Sequence, residues 1–257
     1  MQVMVLSTIV LFVGPADSGK SSVVGVYSKW LKDNGYEVLT INLDPAAEYI
    51  PYRPDFNIRS FINAKEIAIK EGLGPNGALV IAMERITERI HLIINFIKSR
   101  NADYVLIDTP GQMEVFIFRD ISWRLVEALK NVSKYVYAIF VVDASVIRRA
   151  TDYAFISLLS VATQLRLGVD TAPIINKIDL VGEDVVYGDL LRDFGKIRKE
   201  LMIEHTLYAK MLRDLSRTLI KYSKSIEVPK VSALKGLGME ELHRLIHELS
   251  CTCGDLS

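Results

Sequence analysis

The sequence predicts an α/β fold in which a mainly parallel sheet is flanked by helices. Two observations carry this expectation. Short, apolar, strand-like runs recur along the chain, as strands buried on both faces of a parallel sheet require. They occupy 9–13, 37–43, 104–108, 136–143, 173–176 and 228–232. Between them lie stretches with helical spacing, and this alternation is the signature of βαβ units. The 257 residues, of which 50% are hydrophobic, suit one large domain spanning 1–257 with a helical insertion.

The first strand, 9–13, runs straight into Gly14-Pro15-Ala16-Asp17-Ser18-Gly19-Lys20-Ser21, which fits the phosphate-loop pattern G-x-x-x-x-G-K-[ST] at every fixed position. Apolar residues then fall at Val23, Val24, Tyr27, Trp30 and Leu31, a helical stripe that stops at Asn34-Gly35. Further helices are expected over about 78–98, 114–129 and 155–167. The charged stretch 183–224 carries Leu190, Leu191, Phe194, Ile197 and Leu201 at helical spacing and reads as the insertion. A last helix, 239–249, closes the fold. There is no internal repeat and no low-complexity linker.

Strand, glycine-bearing loop and helix N-terminus in this order make a polyphosphate cradle. Backbone N–H groups and the positive end of the helix dipole face the anion. Lys20 is placed to reach the β- and γ-phosphates, the Ser21 hydroxyl to ligate Mg²⁺, and Ser22 to complete the loop's contacts. The second signal, Asp108-Thr109-Pro110-Gly111-Gln112, follows the run 104–107. A carboxylate at the C-terminal end of a parallel strand sits where such sheets bind ligands. Asp108 is expected to hold Mg²⁺ directly or through water, the Gly111 N–H to meet the γ-phosphate, and Gln112 to orient the attacking water.

The third signal, Asn176-Lys177-Ile178-Asp179, names the base. A carboxylate accepts from the guanine N1–H and 2-amino group, a donor pair adenine lacks, and leaving it unpaired costs about 1–3 kcal/mol. Lys177 is expected to lay its stem over the base and Asn176 to tie this loop to the phosphate loop. A backbone N–H from Ser232-Ala233-Leu234 is expected at the guanine O6. An ATPase of the partitioning type is disfavoured by residues 176–179.

The bulk numbers exclude several classes. Formal net charge is zero, so no global field favours direct nucleic-acid binding or an anionic membrane. No apolar run approaches the length of a membrane span, and the N-terminus lacks a basic leader and a small-residue cleavage site. The only cysteines, Cys251 and Cys253, form no disulfide framework and fit a reducing cytoplasm. His243 and His247, four apart with these cysteines just beyond, make a candidate metal set against the plainer reading of an ordinary surface helix and tail.

The chain resembles the GPN-loop GTPases, members of the SIMIBI class of P-loop GTPases, and among them the archaeal-type homodimers. The naming motif is Gly74-Pro75-Asn76, within a segment of about 60–98. Neighbouring matches are Asn42-Leu43-Asp44-Pro45-Ala46, residues 49–54, residues 108–114 and the terminal stretch 251–256. The resemblance implies a homodimer in which each Gly-Pro-Asn loop reaches toward the partner's GTP or GDP, with slow hydrolysis coupled to rearrangement of the dimer. Eukaryotic relatives are linked to RNA polymerase assembly and nuclear import, which makes an unidentified protein effector the expected further partner. A metallochaperone GTPase and a nucleotide-gated scaffold with vestigial hydrolysis are the alternatives.

Read from the residues alone, Gly74-Pro75-Asn76-Gly77 is a turn. With the resemblance, the Asn76 amide becomes a candidate contact to a γ-phosphate oxygen or the attacking water. Asp44 is the expected switch carboxylate, orienting the water or completing the outer shell of Mg²⁺; an Asx-turn before Pro45 is the alternative. Glu114 reads as a first-turn helix residue.

Overall fold

A computed structural model describes residues 7–148, 150–181 and 228–252. The expected insertion at 183–224 and Cys253 lie outside the described residues. Six strands form one parallel sheet: β1 (Thr8–Val13), β2 (Val38–Asn42), β3 (Phe56–Asn57), β4 (Tyr104–Asp108), β5 (Val136–Asp143) and β6 (Thr171–Asn176). Their order is β3-β2-β4-β1-β5-β6. β1 therefore sits inside the sheet, paired with β4 and β5, and Ile9 to Val13 are wholly buried.

The pleat of β1 divides the core. Ile9, Leu11 and Val13 point to one face, Val10 and Phe12 to the other. The first face is covered by α2 (Ala64–Glu71), α3 (Pro75–Glu88), α4 (Ile90–Lys98), α5 (Met113–Ile117), α6 (Asp120–Lys130) and α7 (Ala150–Leu167). The second is covered by α1 (Lys20–Asp33) and α8 (Met239–Thr252), through Tyr27, Leu31, Leu242, Leu245 and Ile246. Both faces are dry, which is why the strands read as continuous apolar runs.

Three expectations about boundaries need correction. The helix expected over 78–98 is two helices, broken at Arg89, which ends α3 and starts α4. The one expected over 114–129 is likewise split into α5 and α6 at Phe118-Arg119. The run 228–232 adds a single bridge, Lys230 to Ile175, rather than a full strand. Pro229 has no N–H to donate to a ladder, and Ser232 turns back to pair with Leu237. Two elements were not anticipated, β3 and α2, although α2 carries both of its caps. The Asn63 side chain accepts from the Lys65 N–H, and Gly72 ends the helix at φ 66°.

α8 is held by an aromatic and imidazole cluster near the N-terminal end of β4. The Tyr27 hydroxyl lies 2.9 Å from His243 Nδ1 and the Tyr104 hydroxyl 3.3 Å from His247 Nε2. Trp30, Tyr36, Tyr104 and His247 ring the His243 imidazole, and none of these partners is a carboxylate. Burial, with the neighbouring His247 adding to it, lowers the His243 pKa from its ordinary 6.5. The unfolded chain then binds this proton more readily than the folded one, so stability falls as pH drops below about 6.5. Urea denaturation from neutral to mildly acidic pH should show that loss, and His243→Gln should flatten it.

Candidate active site

The C-terminal ends of β1, β2, β4, β5 and β6 converge on the loop at residues 14–19. Only glycine fits at its two ends. Gly14 has φ +149°, and a Cβ there would lie 2.3 Å from the Val141 carbonyl oxygen. Gly19, at φ +83°, precedes α1, and its Cβ would lie 2.4 Å from Asn176 Nδ2. Between them Asp17 adopts φ 60°, a left-handed conformation that aspartate tolerates better than most residues. Pro15 and Ala16 are exposed, Ser18 is buried, and Ser21 and Ser22 are half-buried at the start of α1.

Lys20 is buried and curls back on the loop, donating from Nζ to the Gly14 carbonyl at 3.0 Å and the Pro15 carbonyl at 2.8 Å. Burial pushes its pKa down, while the charges of Asp108, Asp44 and Asp17 oppose that shift. Asp108 ends β4 level with Phe12 and Asn42, between the phosphate loop and the loop after β2. Burial lifts its pKa to about 6; Ser21, Lys20 and the Tyr52 phenol pull the other way, and the Asp44 charge adds to the rise. Asp108 Oδ2 accepts from Tyr52 at 3.2 Å. Its other oxygen, Oδ1, is buried and has no hydrogen-bond partner among the described residues, and neither has the Ser18 hydroxyl.

The remaining expected groups gather around this cluster. Asp44 accepts from the Ala46 N–H at 2.9 Å, the Asx-turn weighed as its alternative role, and from the Gly111 N–H at 3.4 Å through its second oxygen. Gly111 itself faces Ala16 of the phosphate loop. Asn42, wholly buried and given no role from sequence, sets this loop by donating to the Asp44 carbonyl and accepting its N–H. Gln112 Nε2 lies 3.4 Å from Asn76 Oδ1 of the same chain. Gly74-Pro75-Asn76-Gly77 is not a turn, as the residues alone suggest, but the exposed first turn of α3: Gly74 is its N-cap and Pro75 its first residue, where a missing N–H costs nothing. Glu114 is exposed in the first turn of α5.

The base-side residues form a second group. Asn176 is buried and bridges two loops, donating to the Ser18 carbonyl at 3.0 Å and accepting the Ala233 N–H at 3.1 Å. Lys177, at φ 64°, lays its stem beside Gly19 and pairs with Asp143 at 2.7 Å. Burial alone would raise the Asp143 carboxyl, but hydrogen bonds from Lys177 and Ser145 hold it below its ordinary 3.8. Asp179 accepts from the Ser232 hydroxyl. The expected backbone donor is narrowed: the Ser232 N–H goes to Leu237 and the Ala233 N–H to Asn176. The Leu234 N–H is the one of the three with no such bond among the described residues, on a residue 84% exposed.

The histidines do not extend this site. Each turns one ring nitrogen to a phenol at the opposite end of the sheet. No group of three or more His, Cys, Asp or Glu residues able to hold a metal occurs among the described residues. No described helix is long and apolar enough to cross a membrane.

Comparison with known proteins agrees with this geometry. A family model described as "Conserved hypothetical ATP binding protein" matches residues 12–252. A GPN-loop GTPase of Pyrococcus abyssi is 35% identical over 253 residues, 97% of this chain and 100% of the relative. The chain belongs to the GPN-loop GTPases. A GPN-loop GTPase of Arabidopsis thaliana is 30% identical over 82% of this chain and 74% of its own length. The crystal structure of a P. abyssi GTPase in its apo form superposes with TM-score 0.84 at 33% identity, covering 97% of this chain and all of that one. The adenine named in the family description and the guanine named by the relatives disagree. The relatives are followed, because they are named as GTPases and one of them matches 97% of this chain and all of its own length.

Asn176→Ala tests the bridge between the two loops. It strands the Ala233 N–H and the Ser18 carbonyl, and should cost about 2–4 kcal/mol of stability, measured by urea unfolding of the nucleotide-free protein.

Proposed function

We propose that this GTPase is a Mg²⁺-dependent, homodimeric switch of the cytoplasm that binds GTP across the strand ends and signals its nucleotide state to a protein effector. The observation that carries this reading is the meeting of Lys20, Asp108, Asp44 and the Gly111 N–H in one cleft beside a glycine-bounded loop. Lys20, Asp44 and the Gly111 N–H each bond to the protein itself through an atom that a phosphate, water or metal would engage, while Asp108 bonds through Oδ2 and keeps Oδ1 unpartnered. Lys20 holds loop carbonyls and Gly111 holds Asp44. With GTP, the Lys20 ammonium exchanges those carbonyls for β- and γ-phosphate oxygens, and the Gly111 N–H exchanges Asp44 for the γ-phosphate. The residues fit Mg²⁺: the buried, unpartnered Asp108 Oδ1 and the Ser21 hydroxyl are the hard oxygen donors it prefers. When bound, Mg²⁺ neutralises charge on the β- and γ-phosphates. Released from Gly111, Asp44 joins Gln112 as a group able to orient the attacking water.

The base is read by Asp179, held by Ser232, with the Lys177 stem alongside and the Leu234 N–H as the donor for the guanine O6. Asp179→Asn should move preference from guanosine to xanthosine nucleotides, because the amide donates to the 2-oxo group that the carboxylate repels. Equal GTP binding by variant and parent in calorimetric titrations would remove Asp179 from the base pocket.

Asn76 is the candidate contact to the partner's nucleotide. Its exposure at the tip of α3, behind which Ala78, Leu79, Ala82, Met83 and Ile86 are buried, supports a role outward from a rigid mount. Exposed apolar side chains at Phe118, Val161 and Leu165, on segments joined by Arg166 donating to the Phe118 carbonyl, support a covering second copy. Asn76→Ala should slow hydrolysis by roughly tenfold to a thousandfold, the range for losing a transition-state donor, and leave GDP affinity nearly unchanged. Mixed dimers with Lys20→Ala subunits separate the two directions of action. An Asn76→Ala site should regain turnover when its partner carries an intact Asn76. No recovery, in mixed dimers confirmed by native mass spectrometry and with a wild-type/Lys20→Ala control turning over, leaves only the contact to its own Gln112.

A further inference from the structure

Tyr52 lies in the loop between β2 and β3 and is used by none of the roles above. Its hydroxyl donates to Asp108 Oδ2 at 3.2 Å, the oxygen turned away from the unpartnered Oδ1. Three features hold the ring there. The loop is fastened to β2 just beyond Tyr52, where the Asp55 carboxylate accepts from the Thr40 N–H at 2.8 Å and the Thr40 hydroxyl at 2.9 Å, and the Asp55 N–H donates to the Thr40 carbonyl at 2.8 Å. The ring packs on the core face shared by α1 and α8. Most tellingly, it lies against Gly25 in the middle of α1: a Cβ on Gly25 would stand 3.1 Å from Tyr52 Cβ and 3.5 Å from Cδ1. Glycine in a helix interior costs about 1 kcal/mol relative to alanine, and its φ here is ordinary, so the backbone does not require it. What the missing side chain provides is the approach of the Tyr52 ring.

We propose that Tyr52 is a positioning residue for the metal carboxylate, fixing Asp108 through Oδ2 so that Oδ1 is presented to Mg²⁺, and that Gly25 is the residue that admits it. This rests on the assignment of Asp108 to the Mg²⁺ site. A carboxylate bonded at one oxygen by a rigid phenol has one rotamer and one free lone-pair set. Without the phenol, Oδ2 loses its partner and the buried carboxylate turns toward the Lys20 charge, away from the metal. A tyrosine that merely filled space against α1 would affect folding and nucleotide affinity, with or without metal.

Mg²⁺-dependent retention of a fluorescent GDP analogue tests this without any reading of hydrolysis. Analogue dissociation is followed across a Mg²⁺ titration and in excess EDTA. Tyr52→Phe keeps the ring and removes the hydroxyl. Its Mg²⁺ midpoint should rise about tenfold, the lower end for losing a partner of a metal ligand, while dissociation in EDTA stays at the wild-type rate. Gly25→Ala should shift the midpoint in the same direction even though alanine favours the helix, and should add nothing further on the Tyr52→Phe background. An unshifted midpoint in a folded Tyr52→Phe variant overturns the proposal, as does an equal change in EDTA and in Mg²⁺. A wild-type protein whose retention ignores Mg²⁺ overturns the Mg²⁺ reading of Asp108 and this inference with it. A Mg²⁺-responsive wild type with an unshifted variant overturns the inference alone.

Discussion

The geometry of the site depends on one buried carboxamide. Asn176 ends β6 and has no water to turn to, so both ends of its amide must be satisfied by protein. Its donor end fixes the Ser18 carbonyl of the phosphate loop, and its acceptor end fixes the Ala233 N–H of the segment that follows. Three stretches distant in sequence are thereby held at one spacing. The contact also explains Gly19: any side chain there would collide with Asn176 Nδ2. Glycine at this position therefore serves two purposes, the left-handed start of α1 and the closeness of the two loops. The phosphate loop and the segment at 232–234 cannot drift apart while these bonds hold.

A second constraint is electrostatic. Asp108, Asp44 and Lys20 crowd a buried corner where burial raises one carboxyl and lowers the ammonium. Within the chain these groups have internal partners. The loop carbonyls hold Lys20, the Gly111 N–H holds Asp44, and the Tyr52 phenol holds half of Asp108. The atom left over, Asp108 Oδ1, has a need that no described group meets. Ligand binding on this account is an exchange of partners more than a creation of new ones. Under the proposed function, that exchange couples the loop after β2, through Asp44, to the state of the nucleotide.

Much of this was legible in the sequence where chemistry restricts residue type. The phosphate-loop glycines, Lys20, Asp108 and Asn176 stand at the strand ends where the motifs place them, and at Gly14 and Gly19 a Cβ would collide with its neighbours. Elements set by packing were less legible. The break at Arg89 has no glycine or proline to mark it, and Ile86, Ile93 and Ile97, all buried in the same core, keep one helical spacing across it. β3 is two residues long, too short for any periodicity to register. α2 was legible in principle, since Asn63 and Gly72 are ordinary cap residues, but its eight residues carry a weak apolar stripe. Tyr52 and Gly25 escaped for another reason. Each acts through a neighbour far away in sequence, and only the fold supplies that neighbour.

The first turn of α3 shows how a motif can be fixed in backbone and unfinished in function. Pro75 at the first helical position sets φ without wasting an N–H, and the buried face behind it makes the mount rigid. The side chain that the motif presents is nevertheless exposed, and its single hydrogen bond is the 3.4 Å contact to Gln112, itself only half-buried. A neutral amide in water is worth little to a phosphate, because water offers the same hydrogen bonds. It gains value only when solvent is excluded and its orientation is fixed in advance. Among the described residues nothing covers Asn76, and a second copy presenting the same turn is the cover that the proposed function gives it. Under the proposed function the contact to Gln112 is the resting place of the amide, and the interface supplies the dry, fixed setting that the contact lacks.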